Sequence, residues 1–96
     1  MTKKEIHSVH FIGVGGIGMS GIAIVANAQG MNVSGSDLRR STMTDKLKRL
    51  GITIHIGNRS SNIGTGKDKP DVVVVSTAIM EHNPELKAAK DAKIPI

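Results

Sequence analysis

The chain has 96 residues, 39% hydrophobic and 22% charged, with a formal net charge of +5 and no cysteine. That length makes one domain of ordinary globular composition, and the absence of thiols excludes disulfides and thiolate metal sites and fits a reducing cytoplasm. No apolar run approaches the roughly 20 residues a membrane span needs, and the charged start Met1-Thr2-Lys3-Lys4-Glu5, with His7 close behind, does not read as an export signal.

His7 to Ile12 has the β-branched and aromatic content of a strand. It stops at Gly13-Val14-Gly15-Gly16-Ile17-Gly18. From about Gly16 to Gln29 the chain reads as a helix, and Gly30 sits where a glycine ends one. Met31 to Gly35 is a second strand, closing at Ser36-Asp37. Ser41 and Thr42 are both cap candidates, and Thr42 with Asp45 resembles a capping box. Met43, Leu47 and Leu50 share one helical face before Gly51. Ile52 to Ile56 alternates as a third strand, and Asn58 to Pro70 reads as a loop. Asp71 to Ser76 holds four consecutive valines, the pattern of a central parallel strand buried on both faces. Thr77-Ala78-Ile79-Met80 leads into a second loop. Asn83-Pro84-Glu85 then starts a helix that runs to about Ala92. Ile94-Pro95-Ile96 is expected as a fifth strand at an edge. Strands alternating with helices predict a three-layer α/β domain of the Rossmann type, with a mostly parallel sheet of about five strands spanning residues 1–96.

The net charge invites an anionic partner. Nucleic acid is disfavoured. Phe11 is the one aromatic residue, so there is no stacking platform, and apart from Lys3-Lys4, Arg39-Arg40 and Lys48-Arg49 the cations are scattered. The glycine run supplies a better candidate. In a strand-to-helix turn the first glycine makes the turn, the second lets the main chain approach phosphates, and the third lets the helix pack on the strand. Gly13, Gly15 and Gly18 have that spacing, and Gly16 removes one more side chain. Free amides and the helix dipole favour an anion there. Asp37 ends the second strand, where a carboxylate accepts from ribose hydroxyls. The same residues also suit a bare tight turn with Asp37 as a turn cap. Spacing alone does not separate NAD from a nucleotide sugar.

The strings themselves carry more. His10-Phe11-Ile12-Gly13-Val14-Gly15-Gly16-Ile17-Gly18-Met19-Ser20-Gly21-Ile22-Ala23 resembles the opening motif of the Mur ligases. Val33-Ser34-Gly35-Ser36-Asp37, Ser76-Thr77-Ala78-Ile79 with Asn83-Pro84-Glu85, and Ala92-Lys93-Ile94-Pro95-Ile96 resemble later segments of the same N-terminal domain, in the same order. Within the family the resemblance suits both the alanine-adding and the tripeptide-recycling branches. It implies a domain that holds the UDP part of UDP-N-acetylmuramate. The diphosphate would lie on Gly15, Gly16, Ile17, Gly18 and Met19, with the Ser20 hydroxyl. Ser36 and Asp37 would meet the ribose, and His55 with Ser76, Thr77, Ala78 and Ile79 would border uracil and sugar. Gly57-Asn58 departs from the Gly-His that the family often carries.

The rest of a Mur ligase would supply ATP and Mg2+ chemistry through further domains. No Walker-type Gly-x-x-x-x-Gly-Lys-Ser/Thr stretch and no grouping of acids for magnesium is evident. His7, His10, His55 and His82 lack metal-ligand spacing. The expectation is therefore a cytoplasmic N-terminal domain of a longer ligase that binds without catalysing, with no cofactor of its own.

Overall fold

In the computed structural model, which describes residues 6–64, 66–79 and 81–96, the chain runs β1 (Ser8–Ile12), α1 (Ile17–Ala28), β2 (Asn32–Asp37), α2 (Thr42–Arg49), β3 (Thr53–Ile56), β4 (Val72–Val75) and α3 (Pro84–Asp91). Met1–Glu5, Thr65 and Met80, which enter the readings above, lie outside the described residues. The four strands are parallel in the order β3-β2-β1-β4. The chain thus winds outward from β1 through β2 to β3, then returns to place β4 on the other side of β1. A ligand crevice belongs at such a reversal, outside the carboxyl ends of the two strands.

Alternation along β1 sends its side chains to two separate cores. Val9 and Phe11 join Val14, Ala23, Ala26, Val33, Leu47 and Ile52 under α1 and α2. Ile12 joins Val73, Leu86, Ala89 and Ile94 under α3. Ile63, from a 3-10 turn at Ser60–Ile63, fills the same second core. Gly35 pairs with Phe11 across β1 and β2. A Cβ there would come within 2.7–2.9 Å of the Val14 side chain. The missing side chain at Gly35 is what lets the turn after β1 fold down onto β2.

Four expectations need correcting. The sheet has four strands among the described residues, because Ile94-Pro95-Ile96 is not one of them. Its place beside β4 is marked by a single bond, Val73 N–H to the Pro95 carbonyl at 2.9 Å, and proline has no N–H to return. It follows that β4 is the outer strand and β1 lies inside, although the valines of β4 do pack into both cores. The capping box of α2 is formed by Ser41 and Thr44, not Thr42 and Asp45. The Thr44 hydroxyl accepts from the Ser41 amide, in place of the carboxylate or amide oxygen of the usual Glu or Gln. The segment from Asn58 to Pro70 is not plain loop. It holds 3-10 turns at Ser60–Ile63 and Gly66–Asp68.

The helix of the Asn83-Pro84-Glu85 start is as expected, with Asn83 Oδ1 accepting from the amides of Glu85 and Leu86. Among the described residues no helix is long and apolar enough to cross a membrane.

Candidate functional site

The turn after β1 is held by the end of β2. The Ser36 carbonyl accepts from the amides of both Gly13 and Val14, each at 2.9 Å. Gly13 takes φ +84°, which only glycine adopts without strain, and a Cβ on it would stand 3.0 Å from the Ser76 Cβ. The Gly15 amide donates to Asp37 Oδ2 at 2.8 Å. The Gly16 amide closes the turn onto the Gly13 carbonyl. Helix α1 then begins with no side-chain cap and no acid in its first turn. The amides of Ile17, Gly18 and Met19 have no acceptor among the described residues. Three free donors at the positive end of a 12-residue helix form a place that favours an anion.

The glycines do not all serve the purposes the spacing suggests. Gly15 is needed for closeness, since a Cβ there would lie 2.7 Å from Asp37 Oδ2 and 3.3 Å from Thr44 Cγ2. Gly18 is not needed for helix-to-strand packing, because a Cβ on it would meet nothing within 4 Å. Close packing of the turn on the sheet falls instead to Gly35, which the glycine string does not contain.

Beside the turn lies a crevice of about 320 Å³ at the β1–β4 reversal. Of the expected residues, Gly13, Asp37, Ala78 and Ile79 line it. Asn58, His82, Asn83, Pro84 and Leu38 line it too. Asn58 attracts notice in the sequence only as a departure from Gly-His, and Asn83 only as a cap. Nothing in the sequence singles out His82 or Leu38. Asp37 Oδ1 has no partner among the described residues.

The remaining expected residues divide. Ile17 stands almost fully exposed at the helix start. Ser20 is buried, and its hydroxyl turns back to the Ile17 carbonyl at 3.1 Å. Ser36 is fully buried, with its hydroxyl donating to Glu85 Oε1 at 2.7 Å. His55 is half-buried, its ring 6.4 Å from that of His10. Ser76 Oγ accepts from the Ala78 amide at 3.3 Å, and Thr77 is exposed.

A larger groove of about 620 Å³ runs along α2 and the outer edge of β3. It gathers Arg40, Lys48 and Arg49 over Ile54 and Ile56. The cations are therefore less scattered than their sequence positions suggest. Arg40 is already engaged by Asp45, Nε to Oδ1 at 2.8 Å. That bond holds the Arg40 guanidinium above its ordinary range and the Asp45 carboxyl below its own. Phe11 is buried in the first core, so it offers no stacking face. Among the described residues no group of three or more His, Cys, Asp or Glu side chains could hold a metal ion.

The sequence and the fold both have counterparts among known proteins. A family model described as "Mur ligase family, catalytic domain" matches residues 8–96. The chain is 50% identical over 93 residues to the UDP-N-acetylmuramate–L-alanine ligase of Psychrobacter arcticus, covering 97% of this chain and 19% of that protein. It is 48% identical over 92 residues to the ligase of the same name from Geotalea daltonii, covering 96% and 19%. Its fold matches the crystal structure of the UDP-N-acetylmuramate-alanine ligase of Thermotoga maritima with a TM-score of 0.84 at 34% identity, over 93% of this chain and 20% of that one. A murein peptide ligase from Psychrobacter arcticus gives a TM-score of 0.81 at 28% identity, over 93% and 18%. The chain therefore spans about a fifth of the length of these relatives.

Proposed function

The chain belongs to the Mur ligase family, and from that premise we propose that it is the N-terminal, UDP-sugar-binding domain of a longer ligase acting on UDP-N-acetylmuramate in peptidoglycan precursor synthesis. The observation that carries this reading is the row of unpartnered amides at Ile17, Gly18 and Met19, next to a crevice lined by Gly13 and Asp37. A diphosphate carries two negative charges and needs main-chain donors at close range, which that row offers. Asp37 Oδ1 is free to accept from a ribose hydroxyl. Ala78, Ile79, Asn58 and Asn83 would border the base and sugar, with His55 and Thr77 further out. Ser36 serves from beneath, through the carbonyl that holds the turn. Ser20 serves by fixing the first turn of α1.

The domain binds and orients. The ATP and Mg2+ chemistry of amide formation belongs to the remaining domains of the parent ligase, which works in the cytoplasm. Both the alanine-adding and the peptide-recycling relatives fit the fold. The higher identities to the alanine-adding enzymes favour that branch.

The same turn would also suit NAD, and one experiment separates the two. NADH fluorescence should stay unchanged on mixing, while UDP-N-acetylmuramate perturbs the protein's amide spectrum. Enhanced NADH emission that UDP-N-acetylmuramate does not displace would replace this reading with a redox or sensor domain.

A further inference from the structure

Beneath the crevice lies a polar cluster that the nucleotide contacts do not use. Glu85, the second residue of α3, is fully buried, as are His10 of β1 and Ser36 of β2. A single oxygen joins all three. Glu85 Oε1 accepts from the Ser36 hydroxyl at 2.7 Å and pairs with His10 Nε2 at 2.7 Å. His10 Nδ1 meets Ser34 Oγ at 2.7 Å. The other carboxylate oxygen, Oε2, is buried with no partner among the described residues.

Burying a carboxylate is costly unless it is paired, and apolar residues of similar volume usually serve stability as well or better. The cluster is therefore better explained by what it holds in place. Ser36 carries the carbonyl that anchors Gly13 and Val14. Glu85 follows Asn83 and Pro84, which line the crevice together with Gly13. Building on the proposed nucleotide-binding role, we propose that Glu85 is a positioning residue. Through Ser36 and His10 it clamps the start of α3 to the glycine turn and so fixes the width of the UDP-sugar crevice.

A role in stability alone would lower the melting temperature and leave the folded fraction binding normally. The clamp predicts more. Glu85→Ala should weaken UDP-N-acetylmuramate binding at least about tenfold after correction for the folded fraction. Glu85→Gln keeps an acceptor for Ser36 and should recover affinity to within about threefold of the parent chain. Normal affinity in folded Glu85→Ala, or no recovery in Glu85→Gln, overturns the proposal.

Ser36→Ala removes one hydroxyl and is the milder variant should Glu85→Ala fail to fold. Without any ligand, it should speed hydrogen exchange at the Gly13 and Val14 amides at least about tenfold. Exchange at Leu50, at the far end of α2, should hold steady. Unchanged exchange at Gly13 and Val14 overturns the clamp. If that response is present but the parent chain ignores UDP-N-acetylmuramate, the nucleotide reading fails and the clamp stands as an internal link.

Discussion

Asp37 Oδ2 lies 2.8 Å from the amide of Gly15. The carboxylate thus takes a donor that the glycine spacing assigns to a phosphate, while its other oxygen has no partner among the described residues. The turn already holds an anion supplied by the protein itself. A bound diphosphate would rest on the amides of Ile17, Gly18 and Met19, with Asp37 between it and the ribose.

This arrangement gives Asp37→Ala two opposite effects. Affinity for UDP-N-acetylmuramate should fall by about 1.5–3 kcal/mol, because a charge-assisted bond to ribose is lost. Affinity for inorganic pyrophosphate, which has no ribose, should stay level or rise, because the Gly15 amide is released. Calorimetric titration of both ligands checks this. An equal loss for both would return Asp37 to a turn cap.

Gly15→Ala should disturb the turn at little cost in stability. The new Cβ would lie 2.7 Å from Asp37 Oδ2, the mobile end of a short side chain that can swing away. Stability should fall by no more than about 1 kcal/mol, while the amide proton at position 15 loses its acceptor and moves upfield. Urea unfolding and a proton–nitrogen correlation spectrum read the two effects on one sample.

Gly35→Ala should do the reverse, with the cost falling on stability. Its Cβ would meet three carbons of the β-branched Val14 at 2.7–2.9 Å, inside the core under α1. Overpacking of that kind costs about 1–3 kcal/mol. A midpoint in urea equal to that of the parent chain would show that Val14 yields freely.

The structure explains why these two glycines differ in legibility. Gly15 is visible in the sequence because its spacing from Gly13 and Gly18 matches a known use of glycine. Gly35 is hidden, since its requirement comes from Val14, brought there only when β1 and β2 pair. The same holds for the His10–Glu85 pair, whose partners are 75 residues apart. Asn83-Pro84-Glu85 reads correctly as a helix start, but the burial of Glu85 depends on α3 crossing the sheet beneath His10. The outer position of β4 was likewise unreadable from four valines, because covered faces do not reveal whether a strand has one lateral neighbour or two. The open end of α1 was legible, since Gly16 offers no capping side chain and no acid follows in the first turn.

One surface pair gives stability a pH dependence. Arg40 holds the Asp45 carboxyl below its ordinary value of 3.8. A depressed carboxyl stabilises the fold above its unfolded value and loses that contribution as pH falls through the folded one. Asp45→Asn should therefore flatten the decline in urea midpoint below about pH 4. The effect should be small and should shrink in salt, because both side chains are exposed. A decline as steep as in the parent chain would show that Arg40 and Asp45 do not stay paired in solution.

Amide-resolved titration with UDP-N-acetylmuramate tests most directly whether the start of α1 receives the diphosphate. The largest shifts should fall on Ile17, Gly18 and Met19, with Gly13 and Ala78 following at the crevice. Shifts confined to Lys48, Arg49 and Ile56 would place the ligand in the basic groove along α2 and contradict the account.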